Sequence, residues 1–303
     1  PSVTWSVTNG TGTATINPTT GLLTAATVGT VTVCATANDG SGVSGCTTIT
    51  IDPILVTNIT VQGQGGVTTV TNGSTLQMEE TVTPANATDP SVTWSVTNGT
   101  GSATIDPVTG ILTATGVGTV TVCATANDGS GVSDCIIITV DPILVTSITV
   151  TGQGGASNVQ SGNTLQMVAS VLPANASDPS VTWSVTNGTG SATLNASTGV
   201  LTGGGPGTVT VCATATDGSG TQGCTTITID PILVTNITVA GQGGATNVTS
   251  GGSLQMLETV TPANASDPSV TWSVTNVTGT ATINASTGIL SAGSPGTVQV
   301  CAT

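Results

Sequence analysis

The 303-residue chain contains no Lys, no Arg, no His, no Phe and no Tyr. Its 14 acidic residues therefore stand without a basic partner, for a formal charge of −14 at pH 7. An average soluble domain is about 25% charged, against 5% here, and each missing residue type removes a class of function. Without a cation nothing neutralises phosphate, which excludes sequence-independent nucleic-acid binding and basic recognition of anionic membranes. Without His, Lys or Tyr the usual acid/base and Schiff-base side chains are gone. Carboxylates, hydroxyls, thiols and backbone remain. The adjacent pair Glu79-Glu80 faces opposite sides of any strand, so it offers no catalytic couple, and the expectation is a protein without enzyme activity. Also missing is any run of about 18 apolar residues, hence any helical membrane span.

What is present is the composition of a folded β protein. Hydrophobic residues make up 37% of the chain, mostly Val, Ile, Leu and Ala beside abundant Thr, and the β-branched types favour strands. Trp5, Trp94, Trp183 and Trp272 recur every 89 residues. The same step relates Cys34, Cys123, Cys212 and Cys301, then Cys46, Cys135 and Cys224, and the pairs Asp52-Pro53, Asp141-Pro142 and Asp230-Pro231. This period is too long for a solenoid unit and fits a small all-β domain. The expected organisation is two complete domains, 54–142 and 143–231. Flanking them are partial domains 1–53, lacking its first strands, and 232–303, lacking its last. The pattern opens in mid-domain at Pro1, so the array is expected to continue upstream.

Within 54–142, apolar residues alternate with Thr, Ser or Gln between Gly-, Asn- and Pro-containing turns, the signature of strands. The pattern predicts strands at 54–61, 75–82, 91–96, 102–105, 111–114, 119–126 and 132–140. Seven short strands in one repeat argue for an antiparallel sandwich. Period two assigns Leu76, Met78, Val82, Val92, Trp94, Val96, Val120, Val122, Ala124, Ile136, Ile138 and Val140 to the core face. Glu80 and Glu258 fall on the same inward parity, and burying a carboxylate without a cation is costly. The expectation is that they reach water near a sheet end; the alternative is a protonated acid hydrogen-bonded inside.

The strings Thr-Leu-Gln-Met, Pro-Ala-Asn-Ala, Val-Thr-Trp-Ser-Val, Gly-Leu-Leu-Thr-Ala and Gly-Thr-Val-Thr-Val-Cys-Ala-Thr resemble the bacterial immunoglobulin-like family, group 2, over essentially the whole chain. The resemblance implies a tandem array of Ig-like β-sandwiches and an extracellular structural role in a large bacterial surface protein. The cysteines and the absence of Lys, Arg and most aromatics depart from the family's usual pattern.

Cys34 and Cys46 flank a Gly-rich turn, and strand parity points both to the same outer face. Cross-strand disulfides are therefore expected at Cys34–Cys46, Cys123–Cys135 and Cys212–Cys224, in an oxidising compartment; Cys301 is expected to pair with a cysteine further along. A zinc site is the rival reading, but two cysteines without His are an incomplete ligand set. Asp-Pro connections without Gly/Ser stretches predict stiff junctions. Asp52, Asp141 and Asp230, with Asp39, Asp128 and Asp217 or Asp89, Asp178 and Asp267, leave calcium as a conceivable cofactor. Calcium takes six to eight oxygens, however, and these acids are single and sit where Asp commonly makes turns. Otherwise no cofactor is expected. Most asparagines begin Asn-x-Ser/Thr triplets, making Asn9, Asn58, Asn86, Asn98, Asn175, Asn187, Asn264 and Asn276 candidate glycosylation sites.

The expectation drawn from all this is a stiff, disulfide-stapled structural array in a filament or in the stalk of a bacterial surface adhesin. Its neighbours would be copies of itself. A carbohydrate- or receptor-binding adhesion module is the alternative, with surface glycans as partners, although sugar sites usually stack on exposed aromatics.

Overall fold

The computed structural model describes residues 2–303, which form two compact units that divide between Pro142 and Ile143. In the first unit, β1 (Val3–Asn9), β4 (Gly29–Ala37) and β5 (Ser44–Ile51) make one sheet, and β2 (Thr13–Ile16) pairs with β3 (Leu23–Thr27). From residue 54 a complete sandwich follows. It comprises β6 (Asn58–Gly63), β7 (Thr69–Thr71), β8 (Thr75–Thr83), β9 (Val92–Asn98), β10 (Ser102–Ile105), β11 (Ile111–Gly116), β12 (Gly118–Ala126) and β13 (Ser133–Asp141). One sheet has the order β10-β11-β8-β6, the other β7-β13-β12-β9.

The second unit repeats this plan. Its complete sandwich has β14 (Ser147–Gly152), β15 (Asn158–Gln160), β16 (Thr164–Leu172), β17 (Val181–Asn187), β18 (Ala192–Leu194), β19 (Val200–Gly203), β20 (Gly207–Ala215) and β21 (Gln222–Asp230). The last stretch carries β22 (Asn236–Gly241), β23 (Ser253–Thr261), β24 (Trp272–Asn276), β25 (Ala281–Ile283), β26 (Ile289–Ala292) and β27 (Val298–Ala302).

Alternation builds each core. Between the sheets of 54–142, Met78, Trp94, Val120, Val122, Ala124, Ile138 and Val140 are buried, and Leu76, Val82, Val92, Val96 and Ile136 pack partly buried against them. All twelve lie on the face that period two selects. Glu80 and Glu258 are exposed, while Ala169, their counterpart in 143–231, is partly buried. The two carboxylates reach water, and among the described residues no polar side chain is buried.

Two strand expectations differ from the structure. The stretch 54–57 is not part of a ladder: Ile54 N donates to Thr88 Oγ1 (2.9 Å), Val56 N to Asp128 Oδ2 (2.5 Å) and Thr57 N to Thr83 O (2.8 Å). Its alternation is real, and Val56 is buried, but side-chain and loop acceptors replace the neighbouring strand. The short β7 was not expected. It pairs parallel with β13, Thr69 opposite Thr139, so the partner that makes it a strand lies far away in sequence.

A glycine lies beneath each tryptophan. Gly110 has φ +69°, and a Cβ there would sit 2.9 Å from Trp94 Nε1; Gly21, Gly199 and Gly288 face Trp5, Trp183 and Trp272 in the same way. A side chain at this site is strained by the left-handed backbone and also displaces the indole. Gly110→Ala should destabilise its domain by about 2–4 kcal/mol. Gly129, at φ +82° with nothing within 4 Å, supplies the control: Gly129→Ala should cost only the backbone part, about 1–2 kcal/mol. Equal unfolding midpoints for the two variants would contradict the packing role.

Candidate functional site

The cysteines lie where antiparallel pairing sets residues directly opposite each other. Cys34 is in register with Cys46, Cys123 with Cys135 and Cys212 with Cys224, and each pair is bonded across a Cα separation of 4.1 Å. None of the six is buried, so the staples lie on the outer face of the β9-β12-β13 sheet and its equivalents. The rest of that face in 54–142 is built mainly from Thr93, Ser95, Thr97, Thr119, Thr121 and Thr125, with the exposed Ile137 and, at the end of β13, Asp141 as its acidic residue. Cys301, at the matching position in β27, has no cysteine opposite it among the described residues.

The carboxylates act as local hydrogen-bond acceptors. Asp128 accepts from Ser130 N through Oδ1 (2.9 Å) and from Val56 N through Oδ2, and Asp217 does the same for Ser219 N (2.9 Å) and Val145 N (2.6 Å). Each ties the turn between the last two strands to the segment entering the domain. Asp89 and Asp178 accept from Ser91 N and Ser180 N, closing short turns. Among the described residues no three of Cys, Asp and Glu gather into a metal-binding group.

These bonds have a pH consequence. Hydrogen bonds from Ser130, and then from the Val56 N–H, hold Asp128 below the ordinary carboxylate range; Ser219 and the Val145 N–H do so for Asp217. A depressed folded-state pKa gives stability that is present above the unfolded value and is lost as pH falls through the folded one. With no His, Lys or Tyr to titrate, thermal stability should stay nearly flat from about pH 5 to 8 and decline below about pH 4. Asp128→Ala should lower the Tm clearly at pH 7 and much less at about pH 2.5; an equal loss at both would contradict the role of the charge.

The asparagine triplets have structural work of their own. Asn9, Asn98, Asn187 and Asn276 each accept through Oδ1 from the backbone N–H five residues on, at 2.8–3.0 Å. The hydroxyls that complete these triplets, Thr11, Thr100, Thr189 and Thr278, accept from Thr30, Thr119, Thr208 and Thr297 N–H. In the triplets beginning at Asn86, Asn175 and Asn264, the hydroxyls of Thr88, Ser177 and Ser266 receive the N–H groups of Ile54, Ile143 and Ile232. Turn and cap geometry therefore accounts for these triplets whether or not a sugar is attached. All eight candidate asparagines, Asn58 included, are exposed.

Trp94, Trp183 and Trp272 are buried, and Trp5 is partly buried. None of the three buried indoles offers an open ring for sugar stacking. Among the described residues the array shows no cluster of reactive side chains; what it repeats is packing, capping and stapling.

A model of the bacterial Ig-like domain, group 2, matches residues 55–137, 144–226 and 233–303. The chain belongs to that family. Among individual proteins, this Ig-like chain is 51% identical over 87 residues to the tail tube protein pb6 of Escherichia phage T5, covering 28% of the chain and 18% of that protein. It is 30% identical over 174 residues to an Ig-like virion protein of Serratia phage KSP90, covering 57% of the chain and 65% of that protein. The chain thus spans less than two-thirds of either relative. Mouse cadherin-23 domains EC22–24 align over 75% of the chain and 85% of their own length at 16% identity and a TM-score of 0.30.

Proposed function

We propose that this chain is a non-catalytic Ig-like array exposed on a virion, extending a larger tail or virion protein. One observation carries the reading. The 87 residues shared with the phage T5 tail tube protein are about one 89-residue repeat and only 18% of that protein, as expected of a module joined to a larger virion component. The second relative is also a virion protein. The array's physical character supports the placement: three disulfides suit an environment outside the cytosol, and a chain without Lys or Arg presents no trypsin-type cleavage site. The stalk of a bacterial surface protein is the competing placement, since it would use the same stapled domains. Mass spectrometry of gradient-purified particles and of outer-surface fractions from the producing culture separates the two. Peptides of the chain should co-purify with particles; recovery only in the cell-surface fraction would overturn the proposal.

A further inference from the structure

We propose that the open edge of β9, repeated as β17, is a self-pairing surface: it takes the same strand of a second copy of this chain, antiparallel, and joins two sandwiches into one continuous sheet. β9 ends the order β7-β13-β12-β9, and β17 ends β15-β21-β20-β17. Alternation decides which backbone groups face outward. Asn127 N donates to Ser91 O and Gly99 N to Thr119 O, so the odd-numbered residues bond β12, while Val92, Trp94, Val96 and Asn98 turn their N–H and C=O groups to the open side. Of these, Trp94 N donates to Pro107 O (3.0 Å), as Trp183 N does to Ala196 O (3.0 Å). Among the described residues no loop acceptor reaches the N–H groups of Val92, Val96 and Asn98, nor those of Val181, Val185 and Asn187.

The other edges of the same domain carry the guards by which folded proteins avoid edge-to-edge pairing. On β6 the Asp134 carboxylate takes the N–H of Val61 (2.9 Å). β7 has three residues, and β10 has four with a bulge between Ser102 and Ala103. β9 has none of these devices. It runs seven residues in unbroken register with β12, contains neither proline nor charge, and belongs to a chain without Lys. Its sequence Val-Thr-Trp-Ser-Val-Thr-Asn stands unchanged at 3–9, 92–98, 181–187 and 270–276. The guarded edge varies instead, as Asn-Ile-Thr-Val-Gln-Gly in β6 and Ser-Ile-Thr-Val-Thr-Gly in β14.

The free groups also fix the partner and the register. Two such edges complement each other about a local twofold axis at Ser95. Val96 N–H then meets the C=O of Trp94 in the second copy, Val92 N–H meets that of Asn98, and Asn98 N–H meets that of Val92, each bond being made twice. The donor this register leaves out is Trp94 N–H, which Pro107 O already holds. Across the seam Ser95 faces Ser95 and Thr93 faces Thr97, so no charge meets a like charge there. The formal charge of −14 opposes approach only at longer range, and salt screens it.

Sedimentation velocity of the full chain over a range of concentrations, in low and high salt, tests this together with residue-resolved amide exchange. Association should grow with concentration and with salt. Exchange at Val96 and Val185 should slow about tenfold when nine-tenths of the edges are paired, since only the free fraction exchanges. A chain carrying Ser95→Glu with Ser6→Glu, Ser184→Glu and Ser273→Glu sets like charges directly opposite each other at exposed positions. It should pair roughly two- to fivefold more weakly per seam in low salt, while the matching Ser→Gln chain should pair as the parent does. A chain that stays monomeric in concentrated, high-salt solution would overturn the proposal. So would association that leaves exchange at Val96 and Val185 unchanged, or equal pairing by the Glu and Gln chains in low salt.

Discussion

Replacing Trp94 by alanine is expected to destabilise the 54–142 domain by about 3–5 kcal/mol, a large share of the roughly 5–15 kcal/mol that holds a typical domain folded. Trp94 is 4% exposed, and it is the only aromatic side chain between the two sheets of its domain. The chain has no Phe or Tyr, and the buried cluster that holds Trp94 is otherwise made of the smaller Val, Ile, Leu, Ala and Met side chains. None of these reaches across the void that an indole leaves. Gly110 lies under the ring with a backbone that only glycine adopts without strain, so that side of the cavity cannot be refilled. Calorimetry of the whole chain should show one transition moved to lower temperature and the others in place. A loss below about 1 kcal/mol would mean that the indole is not the keystone of the core.

Removal of one staple comes next in size. The double variant Cys123→Ser/Cys135→Ser releases a loop with a sequence separation of 12, and the chain-entropy model assigns about 3 kcal/mol to a closure of this length. The loss should appear in urea unfolding as a lower midpoint for that domain at an unchanged slope. Reduction of the intact chain should reproduce the loss in each of the three stapled hairpins. An unchanged midpoint after full reduction would show that strand pairing alone holds these hairpins.

Much of this architecture was legible in the sequence because the same text is written several times. The 89-residue interval between tryptophans revealed the domain array, and strict alternation in Val120-Thr121-Val122-Cys123-Ala124 gave both the core face and the outward direction of the cysteine. What was not legible depends on partners distant in sequence or on single side-chain atoms. β7 has three residues, Thr-Val-Thr, and becomes a strand only because β13 lies alongside. The entering segment 54–57 reads as a strand, yet it is held by Asp128, more than seventy residues away. Asp128 itself looks like a turn residue, which it also is, and nothing local announces its second bond. The glycine under each tryptophan could have been found: Gly21, Gly110, Gly199 and Gly288 keep a constant offset from Trp5, Trp94, Trp183 and Trp272. The asparagine triplets misdirect in the other direction. They match a modification motif, while in the fold both the Asn98 amide oxygen and the Thr100 hydroxyl have a structural duty.

The missing cations and aromatics bear on function through the same physics. An acidic chain without Lys or Arg has no side-chain ion pairs to lose, and its stability rests on apolar packing, backbone ladders, hydroxyl and carboxylate caps, and disulfides. Such a module is expected to keep its shape across salt and neutral-to-alkaline conditions, which suits the proposed exposed extension of a particle. The most direct measurement is electron microscopy of intact, purified particles labelled with an antibody raised against residues 54–231. Label on the exterior of the particles, abolished when the coding segment is deleted, is the expected result. Particles that never label, beside producing cells whose surface does, would contradict the virion assignment.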